Sequence, residues 1–150
     1  HWPIIGKITT AVDMLFINRG AKDAASLAVN GISEFLLNKR NVTIFPEGTS
    51  SGGKDLLKFK PRLFASVIET SSPVQCVAIK YPYKNKKIHP SVPFLRKDSL
   101  FLSILKVLFQ EDIIAEVTIC DLVSSKGKDR KSITAECYSI IKNNLENNVK

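Results

Sequence analysis

Cysteine is scarce in this chain, and the positions of the few cysteines exclude several classes of protein. The 150 residues contain three, Cys76, Cys120 and Cys137, which lie far apart. None of them forms a Cys-x-x-Cys pair or joins a histidine at the spacing of a zinc site. Because they are odd in number and two lie in apolar segments, we interpret them as reduced, buried thiols and expect no metal site.

The sequence also lacks an apolar run long enough to cross a membrane. A spanning helix needs ~18 to 20 apolar residues. The longest apolar patch, 100–109, is shorter and is interrupted by Ser103 and Lys106. A short apolar helix of this kind belongs either to a core or to a membrane interface. We interpret 100–109 as a core helix.

The chain does contain enough apolar sequence for one domain, together with an excess of positive charge. Hydrophobic residues make up 44% of it and charged residues 24%, as in an ordinary globular protein with a real core. No repeat or low-complexity tract divides it, so we treat 1–150 as a single domain. The net charge of +8 favours an anionic partner, such as a membrane surface, a phosphorylated substrate or a nucleic acid.

Hydrophobic periodicity predicts that strands and helices alternate along the chain. The predicted strands are 14–17, 42–45, 74–80 and 113–120, and the predicted helices are 24–39, 61–69, 100–109 and 131–147. Segment 74–80 is apolar at both alternating sets of positions, which is typical of a strand covered on both faces. The pattern predicts the α/β class, with a mostly parallel sheet flanked by helices.

The most informative stretch is 45–51, Phe-Pro-Glu-Gly-Thr-Ser-Ser, directly after the predicted strand 42–45. Proline ends the strand because it cannot donate to a ladder. A carboxylate, a glycine and three hydroxyl side chains then follow in an open loop, where they and the backbone N–H groups are free to bind a ligand. An ordinary strand-to-turn junction would explain the same pattern.

Two further blocks give the stretch a family context. Residues 16–20, Phe-Ile-Asn-Arg-Gly, again end a short apolar strand in polar side chains, and 72–79 is an apolar strand with Pro73 near its start. In order and separation the three blocks resemble those of the glycerophospholipid acyltransferase family, of the lysophosphatidate acyltransferase type. The entry segment 2–6, Trp-Pro-Ile-Ile-Gly, is also similar to the family's, so the resemblance extends over essentially the whole chain.

The resemblance implies a reaction and a set of binding residues. Members transfer a fatty acyl group from an acyl thioester, acyl-CoA or acyl carrier protein, to a lysophospholipid hydroxyl, without a cofactor. It implies association with an anionic membrane surface on the cytoplasmic face (the inner membrane if bacterial), and no nucleic-acid partner. The residues that it places at the acceptor site are Phe16, Asn18, Arg19, Glu47, Gly48, Thr49 and Ser50.

Two of these residues, Arg19 and Ser50, bear on which acceptor is bound. The Arg19 guanidinium suits a bidentate hold on phosphate or carboxylate, although pairing with Asp23 would also explain it. Many family members have arginine where this chain has Ser50. The serine removes one phosphate ligand, so the acceptor is either lysophosphatidate or another lysolipid, such as lyso-ornithine lipid.

The family's catalytic pair, His-x4-Asp, is absent from this chain. In that pair the histidine is the general base and the aspartate orients it. The chain has only His1 and His89, and the residues five positions further on are Gly6 and Phe94. We expect an acyltransferase domain that lacks its N-terminal part, has no catalytic residue of its own and is inactive alone. The alternatives are a non-catalytic homologue that binds anionic lipid and a basic nucleic-acid-binding domain.

Basic side chains concentrate in two predicted loops. One group is Lys54, Lys58, Lys60 and Arg62, and the other is Lys80, Lys84, Lys86 and Lys87, with Tyr81 and Tyr83 among them. Such clusters suit lipid headgroups, a charged acyl donor or nucleic acid, and solvated loops also carry them. His89 has no carboxylate at a suitable spacing, and we interpret it as structural or exposed.

Overall fold

The structure is a computed structural model, and it describes residues 14–15, 23–84, 88–95 and 98–147. Helix α1 is Ala24–Leu37; a 3₁₀ helix, Pro61–Phe64, continues into α2, Ala65–Glu69. Strand β1 is Val74–Lys80, α3 is Leu100–Leu108, β2 is Glu116–Val123 and α4 is Arg130–Asn147. The α/β composition is therefore confirmed.

Helix α1 forms where the sequence predicts a helix, and local signals account for its ends. The backbone carbonyl of Asp23 accepts the N–H of Leu27 at 2.9 Å, although the Asp23 side chain makes no capping bond. At the other end, the Asn38 side chain donates to the carbonyl of Glu34 at 3.0 Å. Lys39 then adopts a φ of +57°, in the left-handed region that ends helices.

The two described strands pair antiparallel, from Val74 opposite Val123 to Lys80 opposite Glu116, with a bulge between Gln75 and Val77. The mostly parallel sheet expected from the sequence is therefore not confirmed. The apolar pattern of 74–80, which favoured a strand covered on both faces, has another explanation in the structure. Of the apolar residues of β1, Cys76 and Ala78 face the core, while Val77 and Ile79 are about 40% exposed on the opposite face.

The core lies between the sheet and α4, and its members come from both strands, α4, the 3₁₀ helix and the loop before it. The buried cluster is Phe59, Phe64, Cys76, Val123, Ile133 and Cys137. Ile133 and Cys137 are one turn apart on α4, so they present one apolar face to the sheet, as the periodicity predicts. Burying a side chain such as Ile133 stabilises the fold by roughly 1.5 to 3 kcal/mol.

Two of the predicted strands do not appear as strands among the described residues. Segment 42–45 is irregular, and in the described part of the chain no backbone hydrogen bond joins it to another strand. Phe45 is 76% exposed there. Residues 14–15 are irregular as well, and 16–17 lie outside the described residues. The last strand is Glu116–Val123, three residues further along than predicted.

The core assignment of segment 100–109 is wrong. A helix forms there, but none of its residues is buried, and Phe101, Leu108 and Phe109 are 60%, 71% and 81% exposed. The sequence signal, a run of apolar residues, is common to core helices and interfacial helices and does not separate them. Over the described ranges, no helix is long and apolar enough to cross a bilayer.

Candidate functional site

The Phe-Pro-Glu-Gly-Thr-Ser-Ser stretch opens a loop that folds back on itself. One carboxylate oxygen of Glu47 accepts the backbone N–H of Leu57 at 2.8 Å. The backbone N–H of Lys60 donates to the carbonyl of Pro46, also at 2.8 Å. These two bonds close residues 46–60 into one unit, which we call the motif loop. Glu47 therefore holds the loop's shape as well as offering charge.

A tight turn at Gly48 gives the motif loop its direction. The N–H of Gly48 donates to the carbonyl of Phe45 at 3.1 Å, and Gly48 has a φ of +70°. Side-chain-bearing residues rarely adopt that conformation, which explains the glycine here. The Lys60 side chain passes 3.5 Å from the place that a Cβ atom on Gly48 would occupy. Lys60 is thereby brought next to the start of the motif.

The hydroxyl residues after the glycine point to solvent. Gly48, Thr49 and Ser50 are all exposed. The Thr49 hydroxyl makes only a long bond, 3.4 Å, to the carbonyl of Ser50. Ser51 accepts the N–H of Gly53 at 3.1 Å, which stiffens the turn that follows. The loop therefore presents hydroxyl and N–H donors on an accessible surface, as a site for an anionic headgroup requires.

The far half of the motif loop is anchored to α4. Phe59 is buried, and its ring stands edge-on to that of Tyr138, with centroids 5.3 Å apart. The Tyr138 hydroxyl donates to the carbonyl of Leu56 at 3.4 Å. A site held by core packing keeps its geometry better than a free loop does. The sequence offered no local signal for this anchor, because Tyr138 is 82 residues from Leu56.

Four of the predicted site residues, Glu47, Gly48, Thr49 and Ser50, are thus brought together on one turn. Phe16, Asn18 and Arg19 lie outside the described residues. Their place at the acceptor site stays a prediction, as does the alternative pairing of Arg19 with Asp23.

A cavity of about 610 Å³ lies between the motif loop and the loop that follows β1. Its lining residues are Gly52, Lys54, Asp55, Ile88, His89, Pro90 and Pro93. Gly53 has a φ of +71°, and a Cβ atom on it would lie 2.9 Å from Cδ1 of Ile88. The two loops therefore touch, and glycine permits the close approach.

His89 is buried in the second of these loops and has a structural role. Its Nδ1 accepts the backbone N–H of Ser91 at 3.2 Å, and its ring lies 4.4 Å from that of Tyr83. Its own backbone N–H donates to the carbonyl of Tyr81 at 2.7 Å. The sequence left two interpretations of His89, exposed or structural, and the structure confirms the structural one.

The first predicted basic cluster separates in the structure, because Lys54 lines the cavity whereas Arg62 lies against α1. Lys86 and Lys87 of the second cluster lie outside the described residues. Arg62 donates to the Ser26 hydroxyl at 3.0 Å and lines a groove of about 450 Å³ with Pro61, Arg130 and Lys131. The start of α4 in this groove is already capped. Backbone N–H bonds from Ser132 above all, and from Lys131, lower the pKa of Asp129.

No cysteine is both activated and accessible to a substrate. The hydrogen bond between the Cys76 and Cys137 thiols raises the pKa of Cys76 and lowers that of Cys137, and both side chains are buried in the core. Burial also raises the pKa of Cys120. All three cysteines are free thiols. Across the described ranges no three histidine, cysteine or carboxylate side chains converge on a metal site.

Comparison with known proteins settles the family. The sequence model of the Acyltransferase family matches residues 1–80, which include both the 16–20 and the 45–51 blocks. The chain belongs to this acyltransferase family. The resemblance seen in the sequence is thereby confirmed.

Three relatives of the chain are named as lipid acyltransferases. The chain is 31% identical over 141 residues to a lyso-ornithine lipid O-acyltransferase of Pseudomonas aeruginosa, covering 94% of this chain and 54% of that protein. It is 36% identical over 80 residues to a 1-acyl-sn-glycerol-3-phosphate acyltransferase of Neisseria gonorrhoeae, covering 53% of this chain and 31% of that protein. A lysophospholipid acyltransferase of Arabidopsis thaliana is 35% identical over 89 residues, covering 55% and 21%.

The chain spans about half the length of the Pseudomonas relative and less of the others. No solved structure matches it.

Proposed function

We propose that the complete protein transfers a fatty acyl group from an acyl thioester to the hydroxyl of a lysophospholipid. The observation that carries the proposal is the closed motif loop, in which the Glu47 bond to Leu57 holds Gly48, Thr49 and Ser50 on an exposed turn. Family membership supplies the reaction class, and the loop supplies a surface suited to an anionic acceptor.

In this proposal the domain contributes acceptor binding. The N–H groups and hydroxyls of Thr49 and Ser50 bind the headgroup, and Arg19 adds a guanidinium. A general base takes the proton of the acceptor hydroxyl, the oxygen attacks the thioester carbonyl carbon, and the thiolate leaves. Neither His1 nor His89 has the family's aspartate partner, so we assign no base among these 150 residues.

The rival that the motif loop equally permits is a homologue that binds anionic lipid without turnover. Product analysis separates the two. The complete protein is incubated with acyl-CoA, or with acyl carrier protein as the alternative donor, and a lysophospholipid, and the diacyl product is measured by mass spectrometry. Product above the rate of a heat-inactivated sample supports the enzyme. Lipid binding with no product supports the rival.

Two acceptors deserve a direct comparison, lysophosphatidate and lyso-ornithine lipid. The second is favoured by the Pseudomonas relative, whose similarity extends over 94% of this chain, and by Ser50 in place of arginine. Ser50→Arg adds a cation at an exposed position of the turn, so we expect it to raise the kcat/KM ratio of lysophosphatidate over lyso-ornithine lipid by about tenfold. Ser51→Arg, one residue further on, is the matched control.

We also propose that the protein docks on an anionic membrane surface, on the cytoplasmic face, through α3. Seven of the nine α3 residues are apolar, and none is buried. Each leucine or phenylalanine that leaves water adds roughly 1.5 to 3 kcal/mol, so two or three such side chains are enough for reversible binding. Lys106 on the same helix and the net charge of +8 match an anionic headgroup layer.

Vesicle flotation tests this docking. Leu108→Asp places a carboxylate at a position that is 71% exposed, so it leaves the fold intact and opposes insertion. We expect it to abolish flotation with phosphatidylglycerol vesicles. Leu27→Asp, at a 60% exposed position of α1, is the control that should still float. Equal flotation of both variants and the wild type would contradict α3 as the docking element, and a dimer that Leu108→Asp dissociates would assign α3 to a second copy instead.

A further inference from the structure

Lys80 carries the one unexplained buried charge in the part of the chain that the structure describes. Its ammonium nitrogen is fully buried and has no hydrogen-bond partner, and no other buried side-chain nitrogen or oxygen there is in this position. Glu116 lies opposite Lys80 in the strand pairing, yet no ion pair joins the two side chains. The cation is therefore enclosed without a counter-charge.

The pleat of β1 explains how a lysine came to lie inside. Cys76 and Ala78 are buried and Val77 and Ile79 are exposed, so Lys80 lies on the buried face of the strand, where the residue as a whole is half-buried and its nitrogen is enclosed. Burying an ammonium without a partner is costly, and an unpartnered group in a folded protein calls for a missing water, ion or ligand. Methionine would fill the same space without that cost.

Lys80 is also the last residue of β1, at the end of the sheet where the candidate site lies. The following residue, Tyr81, accepts the N–H of His89 and so draws the 88–95 loop back to the strand. That loop touches the motif loop at Ile88 and Gly53, beside the 610 Å³ cavity. Lysine has a long flexible stem, which lets its ammonium turn toward a ligand docked among these loops.

We propose that Lys80 binds a phosphate group of a substrate at this end of the sheet. A buried, desolvated ammonium is a strong partner for an oxyanion, because water does not compete for it. Two sources supply such a phosphate, the headgroup of the lysolipid acceptor and the nucleotide part of an acyl-CoA donor. The choice of these ligands rests on the proposed function, while the binding role of Lys80 rests on its burial and missing partner.

Calorimetry on the purified complete protein distinguishes the sources, with glycerol 3-phosphate standing for the headgroup and adenosine 3′,5′-bisphosphate for the nucleotide. Lys80→Met removes the charge and keeps the length of the side chain. Lys126→Met removes a charge from an exposed position of the loop between β2 and α4 and is the matched control. We expect Lys80→Met to weaken binding of one ligand about ten- to a hundredfold, the usual range for a charged hydrogen bond, and Lys126→Met to change either by less than about twofold.

Equal affinities of the wild type and Lys80→Met for both ligands would overturn the proposal, as would no binding of either by the wild type. Lys80→Met should fold, since it removes an unpaired buried charge. If it does not fold, the ¹⁵N signal of the Lys80 ammonium is followed in the wild type. A shift of that signal on ligand addition supports the proposal, and an unchanged signal overturns it. Phosphate binding through Lys80 in a protein without acyl transfer would refute the proposed function alone. Acyl transfer undiminished in Lys80→Met would refute the role of Lys80 alone.

Discussion

The hydrogen bond from the Leu57 N–H to the Glu47 carboxylate makes a sharp prediction about the motif loop. At 2.8 Å it is a charge-assisted bond between residues ten apart, and together with the Lys60 bond to Pro46 it closes the loop. Bonds to charged groups contribute roughly 1.5 to 3 kcal/mol, and this one is exposed, so we take about 1 kcal/mol. Glu47→Ala removes the acceptor altogether, whereas Glu47→Gln keeps an oxygen in the same place.

Amide hydrogen exchange measures the effect without any assay of activity. Local opening of the loop controls exchange at Leu57, so losing about 1 kcal/mol speeds it about fivefold in Glu47→Ala. Glu47→Gln should speed it less, because the amide oxygen still accepts. The amide of Ile133, whose side chain is buried in the core, is the internal reference and should not change. Unchanged exchange at Leu57 in Glu47→Ala would refute the closed loop.

Two further predictions concern backbone conformation and pH. Gly48→Ala forces a side chain into a φ of +70° and should cost about 1 to 2 kcal/mol in unfolding, whereas Gly52→Ala, with nothing within 4 Å of its Cβ and no positive φ, should be nearly neutral by chemical denaturation. The pKa of Asp129 is lowered in the folded state, chiefly by the Ser132 N–H. Its contribution is therefore fully present above the ordinary value of 3.8 and is lost as pH falls through the lower folded value. Asp129→Asn should flatten the stability curve in that acid range, and an identical curve would contradict the cap.

Local sequence patterns correctly predicted the features that depend only on residues close together in the chain. The periodicity that placed Ile133 and Cys137 on one face of α4 holds, because helix geometry alone determines that relation. In α1 the same periodicity predicts a buried face that includes Leu27, Ala28 and Ile32, and in the structure the buried face is rotated away from Leu27. Leu27 is 60% exposed, and Val29 and Ser33 are buried, with Ser33 donating to the Glu69 carboxylate at 2.9 Å. Packing against α2 decides that rotation, and α2 is remote in sequence.

Sequence patterns could not predict how segments that are distant in the chain lie against each other. Strand direction depends on which strands meet, and alternation of strands with helices does not fix it when a long connection separates β1 from β2. Exposure of α3 likewise depends on whether another element covers it. In the site, the motif loop's polar turn was predictable from Glu47 to Ser50, since those residues are contiguous. The Lys80 burial and the Tyr138 anchor arise from folding, and neither leaves a local signal.

The most direct test of acceptor binding by the motif loop is a measurement of both Michaelis constants of the complete protein with Glu47→Ala. The motif loop is assigned to the lysolipid acceptor, so opening it should raise the KM for the lysolipid by about fivefold, the equivalent of about 1 kcal/mol, and leave the KM for the acyl thioester unchanged. Glu111→Ala, at an exposed carboxylate just beyond α3, is the matched control and should change neither constant. A raised KM for the acyl thioester with an unchanged KM for the lysolipid would contradict the assignment.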